Sequence, residues 1–224
     1  GDLELIAGNY GLNYKYTASV SNPFTLYVKD FDENGTNDVY LGYHDQADGK
    51  LYPVRGRQCS SEQMPFVKEK FKNYDAFGKA TLVDVLEGRL DGSTVQECYT
   101  FAHTVFLNEG KGSFKTRELP KLAQIAPIYD MVVREFDGDG QLDLFCVGNF
   151  HQREVETTRS DAGVGALLLG DGTGGFTAVS PSVTGVVAKE DARAVVWLNN
   201  KGQRPVMAIA NNGAPMQFYV EAAQ

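Results

Sequence analysis

The chain has 224 residues, 42% of them hydrophobic, which is enough for one large or two small domains with apolar cores. Its net charge of −8 and pI near 4.9 disfavour a nucleic-acid or anionic-membrane partner, which a basic patch would bind. No apolar run approaches the roughly 20 residues of a membrane-spanning helix, so we expect no direct membrane insertion. The 24 glycines between short strand-like segments are typical of a mainly β fold.

The chain begins with a strand-like segment, ELIAGN, at residues 4–9. The same pattern recurs with one additional residue as DLFCVGN at residues 143–149. We therefore expect the chain to begin inside a repeat. Turn residues at 15–23 separate the opening segment from FTLYVK, residues 24–29, whose alternation of side chains predicts a strand.

Two acidic loops share one spacing of oxygen-bearing side chains. The first is DFDENGTNDVYLGY at residues 30–43, and the second is EFDGDGQLDLFCVGN at residues 135–149. Each places acidic or amide residues at alternate positions, then a glycine, an aspartate and an apolar, strand-forming run. A Ca²⁺ ion takes about six to eight oxygen ligands, which a loop supplies from alternate residues only by curling around the ion. The pattern therefore predicts two Ca²⁺ loops, each leading into a strand.

The predicted ligands occupy equivalent positions in the two loops. In the first loop they are Asp30, Asp32, Asn34, the carbonyl oxygen of Thr36, and Asp38. In the second loop they are Glu135, Asp137, Asp139, the carbonyl oxygen of Gln141, and Asp143. Carboxylates about 4 Å apart repel by roughly 4 kcal/mol per pair at an effective dielectric constant near 20. We therefore expect the loops to be loose without a cation.

Two alternatives compete with a Ca²⁺ loop. Clusters of Asp, Asn and Gly are also typical of solvated turns, but two copies with identical offsets favour a shared role. An EF-hand loop needs a bidentate Glu at its twelfth position and a helix on each side. Leu41 and Cys146 stand at the twelfth positions, and the flanking segments are rich in strand-forming Val, Tyr, Phe and Leu. The sequence therefore argues against an EF-hand.

Residues 51–91 predict a helical insertion within the β scaffold. Ser60 and Gln63 have the spacing of a helix capping box, and Asp75 can cap a second short helix. Apolar residues at helical spacing follow each cap: Val67, Phe71 and Tyr74 in the first helix, and Leu82, Val85 and Leu86 in the second.

Three later segments predict tight hairpins, because each has a polar, glycine-containing turn followed by an aromatic residue. They are FLNEGKGSF at 106–114, LLGDGTGGF at 168–176 and a weaker copy, ANNGAPMQF, at 210–218. Between the last two hairpins, residues 197–209 align with the acidic loops. Here the positions of the acidic ligands are taken by Trp197, Asn199, Lys201 and Pro205. A loop with Lys in place of a carboxylate should not hold Ca²⁺.

The order of elements is strand, acidic loop, strand, insert, strand, hairpin turn and strand, and it then repeats. Four strands per repeat are typical of a β-propeller blade. We therefore predict one mainly β repeat domain over residues 1–224. It would be a partial β-propeller of about three to four four-stranded blades, with residues 51–91 as a helical insertion.

The acidic loop DFDENGTND and the hairpin LLLGDGTGGF resemble the FG-GAP/VCBS-type repeats of integrin α-subunit propellers and of many secreted bacterial proteins. The segments RGRQCSSEQMPFVKEKF and GNF…RSDAGVGALLLGDG are more closely similar to the C-terminal part of large bacterial repeat proteins, the cartilage-acidic-protein-like group. This resemblance covers nearly the whole chain.

The resemblance implies a seven- or eight-bladed propeller that is exported and holds Ca²⁺ on loops between the first two strands of its blades. All five predicted ligand positions of the first loop match the family pattern. In the second loop Glu135 departs from the Asp that is usual at the first position, and its longer side chain would weaken that site. Three to four repeats do not close a common propeller. Open strand edges are prone to self-association.

The first functional hypothesis is a non-catalytic, calcium-stabilised interaction module in an extracellular, periplasmic or cell-surface location. Its partner would be a protein or a glycan, and the sequence does not identify which. A further hypothesis is that the helical insertion itself forms the surface that binds a protein or glycan. Aromatic residues in such a segment more often pack against the sheet. That surface would include Phe66, Phe71, Tyr74 and Phe77.

The alternative hypothesis is an enzyme, such as a carbohydrate-active propeller. A cysteine nucleophile would need an adjacent base, and no histidine stands beside Cys59 in the sequence. The candidate polar residues for catalysis are Arg55, Arg57, Gln58, Cys59, Ser60, Glu62, His44, His103 and His151.

The three cysteines are too few and too scattered for a disulfide framework or a zinc site. Cys146 lies in an apolar run and is most simply a small core residue. The sequence leaves open whether Cys59 and Cys98 form a disulfide bond.

Overall fold

A computed structural model describes residues 3–154, 156–199 and 204–220. The described residues are mainly β, as the composition predicts, and their strands form four open antiparallel sheets. The chain divides into two compact units. Unit 1 comprises residues 1–14 and 101–224, and unit 2 comprises residues 15–100.

The strands and helices are short, in agreement with the frequent turn residues. The strands are β1 (Leu5–Ala7), β2 (Phe24–Lys29), β3 (Asp38–His44), β4 (Leu51–Pro53), β5 (Thr94–Cys98), β6 (Thr104–Gly110), β7 (Ser113–Glu118), β8 (Ile128–Arg134), β9 (Asp143–Gly148), β10 (Ala166–Gly170), β11 (Phe176–Val179), β12 (Ala192–Leu198), β13 (Val206–Asn211) and β14 (Gln217–Val220). The helices are α1 (Arg57–Gln63), α2 (Pro65–Lys70), α3 (Tyr74–Gly78), α4 (Leu82–Val85) and α5 (Pro181–Thr184), with a 3-10 turn at Ala123–Ile125.

Unit 1 contains three antiparallel sheets, and in two of them neighbouring strands are consecutive in the chain. Sheet 1 has the strand order β1-β6-β7, sheet 3 the order β8-β9-β10-β11, and sheet 4 the order β12-β13-β14. The three predicted hairpins are confirmed, since β6 pairs with β7, β10 with β11, and β13 with β14. Residues 15–100, which form unit 2, separate β1 from β6 in the chain.

Two apolar cores lie between the sheets of unit 1. The first lies between sheets 1 and 3 and includes Val105, Leu144 and Leu168. The second lies between sheets 3 and 4 and includes Phe145, Val195 and Ile209. Strand β9 supplies both cores, because successive side chains point to opposite faces of a strand. All six of its residues are buried, which explains its nearly continuous apolar sequence.

Unit 2 consists of sheet 2 and the first four helices. The strand order of sheet 2 is β4-β3-β2-β5, so β5 returns from the helical segment to pair with β2. Its core joins residues of the acidic loop and of β3, Phe31 and Tyr40, to helical residues such as Val67 and Leu82. The helices therefore pack on the sheet through the apolar positions that their sequence places at helical spacing.

The helical segment differs from the predicted helical hairpin in its number of helices and in its caps. Four short helices lie between residues 57 and 85. Ser60 does not begin a helix but lies inside α1, where its Oγ donates to the carbonyl oxygen of Gly56 at 2.8 Å. The capping box is formed by Thr81 and Asp84 at the start of α4, and Asn73 caps α3.

The apolar positions of the segment are largely where the helical spacing places them. Leu82, Val85 and Leu86 are fully buried, as are Val67 and most of Phe71. Tyr74, which shares their predicted face in the first helix, is instead exposed at the start of α3. Among the described residues, no helix has the length and apolar character to cross a membrane.

Candidate functional site: two acidic loops

The first acidic loop joins β2 to β3, which are antiparallel neighbours in sheet 2. Lys29 pairs with Asp38 across the two strands, so residues 30–37 form the connection. The chain reverses within it through two residues with positive φ, Glu33 at 60° and Gly35 at 88°. Glycine adopts this conformation without a steric cost.

Side-chain oxygens organise the turn of the first loop. The carboxylate of Asp30 accepts hydrogen bonds from the backbone N–H groups of Asn34 at 3.0 Å and Gly35 at 2.8 Å. Asn34 Oδ1 accepts from the N–H of Thr36 at 2.8 Å, as in an Asx turn. These bonds curl the backbone toward the acidic side chains.

Asp38 anchors the end of the first loop to the interior of unit 2. Its Oδ2 accepts from the N–H of Phe31 at 2.9 Å, and Phe31 itself lies in the apolar core. Only 5% of Asp38 is exposed, so this carboxylate is largely shielded from water. A buried carboxylate needs hydrogen bonds or a cation to offset its loss of hydration.

The second acidic loop joins β8 to β9 in sheet 3 with the same register, since Arg134 pairs with Asp143. Asp143 Oδ2 accepts from the N–H of Phe136 at 2.7 Å, which is the counterpart of the Asp38 bond in the first loop. Its Oδ1 accepts from the N–H of Gly170 at 2.9 Å. Asp143 is fully buried, and its two oxygens tie the loop to the neighbouring hairpin.

Turn bonds within the second loop resemble those of the first but are not identical. Glu135 Oε1 accepts from the N–H of Gly138, and Asp139 Oδ1 accepts from the N–H of Gln141 at 2.7 Å. Gly138 and Gly140 both have positive φ, at 88° and 84°. The longer Glu side chain at the first position thus reaches a residue nearer to it in sequence than Asp30 does.

Each loop brings three carboxylates together. One group is Asp30, Asp32 and Asp38, and the other is Glu135, Asp137 and Asp143. Within each group, one oxygen from each residue lies within 4.8 Å of the others, so each group can hold a metal ion. Three negative charges at this separation repel strongly, and a divalent cation between them would remove that repulsion.

The other predicted ligands are not among the grouped carboxylates. Asp139 does not belong to the carboxylate group of its loop, and its Oδ1 is engaged by its own turn. Asn34 Oδ1 is likewise engaged by the backbone of its own loop. The contribution of the Thr36 and Gln141 carbonyl oxygens stays a prediction, and the N–H group of each residue is bound by a side chain of its own loop.

The third, non-acidic loop joins β12 to β13 and has another register. Trp197, which aligns with Glu135, lies within β12 and pairs with Met207. Strand β12 therefore continues through the position where the other loops place their first carboxylate. Lys201 lies outside the described residues.

In sheet 1, Glu4 occupies a position equivalent to that of Asp143, the last carboxylate of the second acidic loop. Glu4 directly precedes β1, as Asp143 begins β9, and its Oε2 accepts from the backbone N–H of Asn108 at 2.6 Å. Asn108 occupies the position of Gly170 in the aligned hairpins, so this bond is the counterpart of the bond between Asp143 and Gly170. The sequence match between residues 4–9 and 143–149 indicated this equivalence.

Asp171 is a turn residue whose role was not recognised from the sequence. Its Oδ1 accepts from the N–H groups of Thr173 at 2.7 Å and Gly175 at 2.9 Å. These backbone bonds, and a further bond from the Thr173 hydroxyl, lower the pKa of the Asp171 carboxyl. The GDGTGG pattern was the available signal, because Asp before glycine-rich turns often caps backbone N–H groups.

Several candidate catalytic residues have structural contacts. Ser60 Oγ contacts the hydroxyl of Tyr40 at 2.5 Å, and Arg57 Nε donates to the carbonyl oxygen of Phe71 at 2.6 Å. A surface groove of about 440 Å³ does bring together Arg55, Cys59 and Glu62. Among the described residues, no histidine forms a hydrogen bond with Cys59.

The three histidines lie in different environments. His44 contacts the carbonyl oxygen of Gly49 at 3.0 Å in unit 2. His103 is fully buried in unit 1, whereas His151 is partly buried, and its Nε2 has no hydrogen-bond partner among the described residues. Cys59, Cys98 and Cys146 are all free thiols, and burial raises the pKa of Cys146 to about 12.

Comparison with known proteins adds no relative: no protein-family model, curated protein or solved structure matches this chain.

Proposed function

We propose that this protein is a non-catalytic binding module in which two acidic loops each hold one Ca²⁺. The observation that carries the proposal is the grouping of three carboxylates in each loop, with oxygens within 4.8 Å of one another. The donors in both groups are all carboxylate oxygens, whereas zinc and copper prefer nitrogen and sulfur ligands. Ca²⁺ accepts about six to eight oxygens in flexible geometry, whereas Mg²⁺ demands a near-ideal octahedron and retains several waters.

The proposed role of each ion is structural. Each acidic loop joins antiparallel strands in register, and its last carboxylate is buried against the loop backbone. An ion at this position would neutralise the clustered charge and fix the strand connection. A catalytic role is not needed to explain the arrangement.

We further propose that the sheets of unit 1 are blades of a partial β-propeller related to FG-GAP/VCBS repeats. The support is that sheets 1, 3 and 4 pack successively through two apolar cores. Sheets 3 and 4 are meanders of consecutive strands, and sheet 1 adds β1 to the β6-β7 hairpin. Strand β12 of sheet 4 contacts β8 and β9 of sheet 3, as expected for neighbouring blades. Sheet 2 would be a further blade, modified by its helices.

An exported location fits this proposal, because extracellular Ca²⁺ modules bind with Kd of about 10⁻⁴ to 10⁻³ M. Sites of this affinity would be largely empty at cytosolic calcium concentrations. The partner would be a protein or a glycan bound at the surface of the module, and self-association through open strand edges is a further proposed mode.

Thermal unfolding in calcium and in excess chelator tests the metal proposal. At a calcium concentration ten times Kd, each site should add about 1.4 kcal/mol to the free energy of unfolding. Asp32→Ala should remove roughly half of the calcium-dependent shift in melting temperature, and the double variant Asp32→Ala/Asp137→Ala should remove nearly all of it.

Asp171→Ala is the matched control, because Asp171 organises a tight turn but belongs to neither carboxylate group. This variant should lower the melting temperature while keeping the full calcium-dependent shift. Identical melting curves for the wild type in calcium and in chelator would refute the metal proposal.

Binding and hydrolysis measured side by side on a panel of glycans, with calcium present, test the non-catalytic role. Saturable binding without turnover is expected of a module. Turnover that is lost in Cys59→Ala or Glu62→Gln would instead support an enzyme with its site in the Arg55 groove.

A further inference from the structure

The first acidic loop contains one of the two Asn-Gly dipeptides of the sequence, Asn34-Gly35, and the other is Asn212-Gly213. The backbone nitrogen that follows an asparagine can attack the side-chain amide and release ammonia, and glycine hinders this attack least because it has no side chain. In both dipeptides the asparagine and the glycine are exposed, and both glycines have positive φ, at 88° and 73°. The two dipeptides match in these respects, so their hydrogen bonds distinguish them.

The backbone nitrogen of Gly35 is bound to a carboxylate. Its N–H donates to Asp30 Oδ2 at 2.8 Å. A carboxylate in this position can accept the proton as the nitrogen attacks, which is the role of a general base. Asp30 Oδ1 accepts from the N–H of Asn34 at 3.0 Å, so two hydrogen bonds hold the carboxylate against the dipeptide.

The side-chain amide of Asn34 is arranged for attack at its carbon atom, Cγ. Its Oδ1 accepts from the N–H of Thr36 at 2.8 Å. Negative charge develops on this oxygen when a nitrogen adds to Cγ, and a backbone N–H that already points at the oxygen stabilises that charge. The amide nitrogen, Nδ2, has no hydrogen-bond partner among the residues that the structure describes. The loop therefore leaves the departing nitrogen open to water.

The second dipeptide lacks this arrangement. Asn212 Nδ2 donates to Asp191 Oδ2 at 3.2 Å, and the backbone N–H of Asn212 donates to the carbonyl oxygen of Asp191 at 2.8 Å. Only 1% of Asp191 is exposed, so these bonds tie the amide nitrogen to the protein interior. Within the described ranges, no carboxylate accepts from the N–H of Gly213. This dipeptide therefore has neither the base nor the open leaving group.

We propose that Asn34 is a self-modification site, at which the Gly35 nitrogen displaces ammonia from the side-chain amide with Asp30 as the base. A bond forms between the Gly35 nitrogen and Asn34 Cγ, and the bond between Cγ and Nδ2 breaks. The proton of the Gly35 nitrogen passes to the Asp30 carboxylate and from there to the departing Nδ2. The products are a cyclic succinimide and ammonia, and the step needs no oxidant or reductant.

Water then opens the succinimide at either of its two carbonyl carbons. Attack at Cγ restores the backbone and leaves an aspartate at position 34, where the second acidic loop has Asp139. Attack at the main-chain carbon instead gives an isoaspartyl linkage, which adds a methylene group to the backbone and so changes the turn. Either product adds a negative charge to the first acidic loop.

The test follows conversion of the complete 224-residue protein at neutral pH in excess chelator, by mass spectrometry of its peptides. Asn34 should convert at least about tenfold faster than Asn212, because only Asn34 has both the base and the donor to its amide oxygen. In concentrated urea the two should convert at similar rates, since unfolding removes both arrangements. The chelator removes bound calcium, so this result is independent of the metal proposal, which calcium-dependent melting tests separately.

Asp30→Asn tests the base, and Asp32→Asn is its matched control. Each substitution exchanges a carboxylate of the same loop for an amide of the same shape. Asp32 accepts from the N–H of Asn34 at 3.3 Å, whereas Asp30 also accepts from that of Gly35. Asp30→Asn should slow conversion of Asn34 at least about tenfold, and Asp32→Asn should keep the wild-type rate. Melting curves in chelator that match the wild type would show that both variants fold.

Several results would overturn the proposal. Equal conversion of Asn34 and Asn212 in the folded protein would show that the dipeptide alone sets the rate. Slower conversion of Asn34 in the folded protein than in urea would show that the fold protects this site. Equal rates in Asp30→Asn and Asp32→Asn would show that the loss of a charge matters and the loss of the base does not.

Discussion

His103 is a fully buried histidine whose neighbours determine its protonation state. Its Nδ1 accepts from the N–H of Asn9 at 2.8 Å, so Nε2 carries the proton and donates to the carbonyl oxygen of Ala126 at 2.9 Å. The amide of Gln124 bonds the backbone of His103 in both directions. The imidazole therefore connects, as a neutral group, the segments that follow β1, precede β6 and precede β8. This structural role accounts for one of the candidate catalytic histidines.

Burial lowers the pKa of His103 in the folded protein below the ordinary histidine value of 6.5. The unfolded chain therefore binds a proton at a higher pH than the folded protein does. The stability contributed by neutral His103 is present above about pH 6.5 and is lost as the pH falls toward the folded pKa. Urea unfolding should give a lower free energy of unfolding at pH 5.5 than at pH 7.5.

In His103→Gln, the free energy of unfolding should fall less between pH 7.5 and pH 5.5 than it does in the wild type. At pH 7.5 the variant should be less stable by roughly 1–3 kcal/mol, because buried hydrogen bonds are disturbed. His44→Gln leaves His103 in place and is the control, so it should retain the pH dependence of the wild type. An undiminished pH dependence in His103→Gln would show that other groups cause it.

The short helices of unit 2 show how caps define elements that are too short to be stable alone. Thr81 Oγ1 accepts from the N–H of Asp84 at 3.2 Å, and Asp84 Oδ2 accepts from the N–H of Thr81 at 2.9 Å. The bonds from Thr81 also lower the pKa of Asp84. This capping box begins α4, whose Leu82 and Val85 are buried in the core of unit 2.

Thr81→Ala should lower the free energy of unfolding of unit 2 by about 1 kcal/mol, because it removes the two bonds of the Thr81 hydroxyl. That hydroxyl accepts from the N–H of Asp84 and donates to Asp84 Oδ2 at 2.6 Å. Ser180→Ala is the matched control, since Ser180 precedes α5, a helix of the same length, without a side-chain cap bond. Urea unfolding should show a change near zero for this control. Equal effects of the two substitutions would contradict a specific role for the capping box.

The elements predicted correctly from the sequence are those specified by local chemistry. The hairpins at 106–114 and 168–176 follow from glycine-containing turns between apolar strands. The cap of α4 was missed because S-x-x-Q at 60–63 and T-x-x-D at 81–84 fit a capping box equally well. Tertiary structure decides between them, since Ser60 is buried against the hydroxyl of Tyr40 and is drawn into the interior of α1.

The grouping of carboxylates in the candidate metal site was also predictable from the sequence, but other features of the site were not. Alternate carboxylates and positive-φ glycines are local features, and the structure brings three carboxylates together in each loop. The sequence did not indicate that Asp139 would stand apart from its group, with its Oδ1 accepting from the N–H of Gln141 in its own turn. It also did not indicate that β12 would continue past Trp197.

The division of the chain into two units was not predictable from repeats. It depends on one non-local pairing, in which Ile6 of β1 pairs with Val105 of β6, with 98 residues between them in the chain. In unit 2, β5 pairs with β2 although the helical segment separates them in sequence. Neither pairing has a local signal, because the strands that meet are joined by long segments rather than by tight turns.

The two units share no apolar core cluster and each has one acidic loop, so calcium should stabilise the two units separately. The loop with Asp32 borders the core of unit 2 through Phe31, and the loop with Asp137 belongs to unit 1. In calcium, Asp32→Ala should speed amide exchange roughly tenfold in unit 2, equivalent to about 1.4 kcal/mol of lost binding free energy. Asp137→Ala should do the same in unit 1. Chelation of the wild type should affect both units, whereas equal acceleration throughout the chain in Asp32→Ala would contradict separate stabilisation.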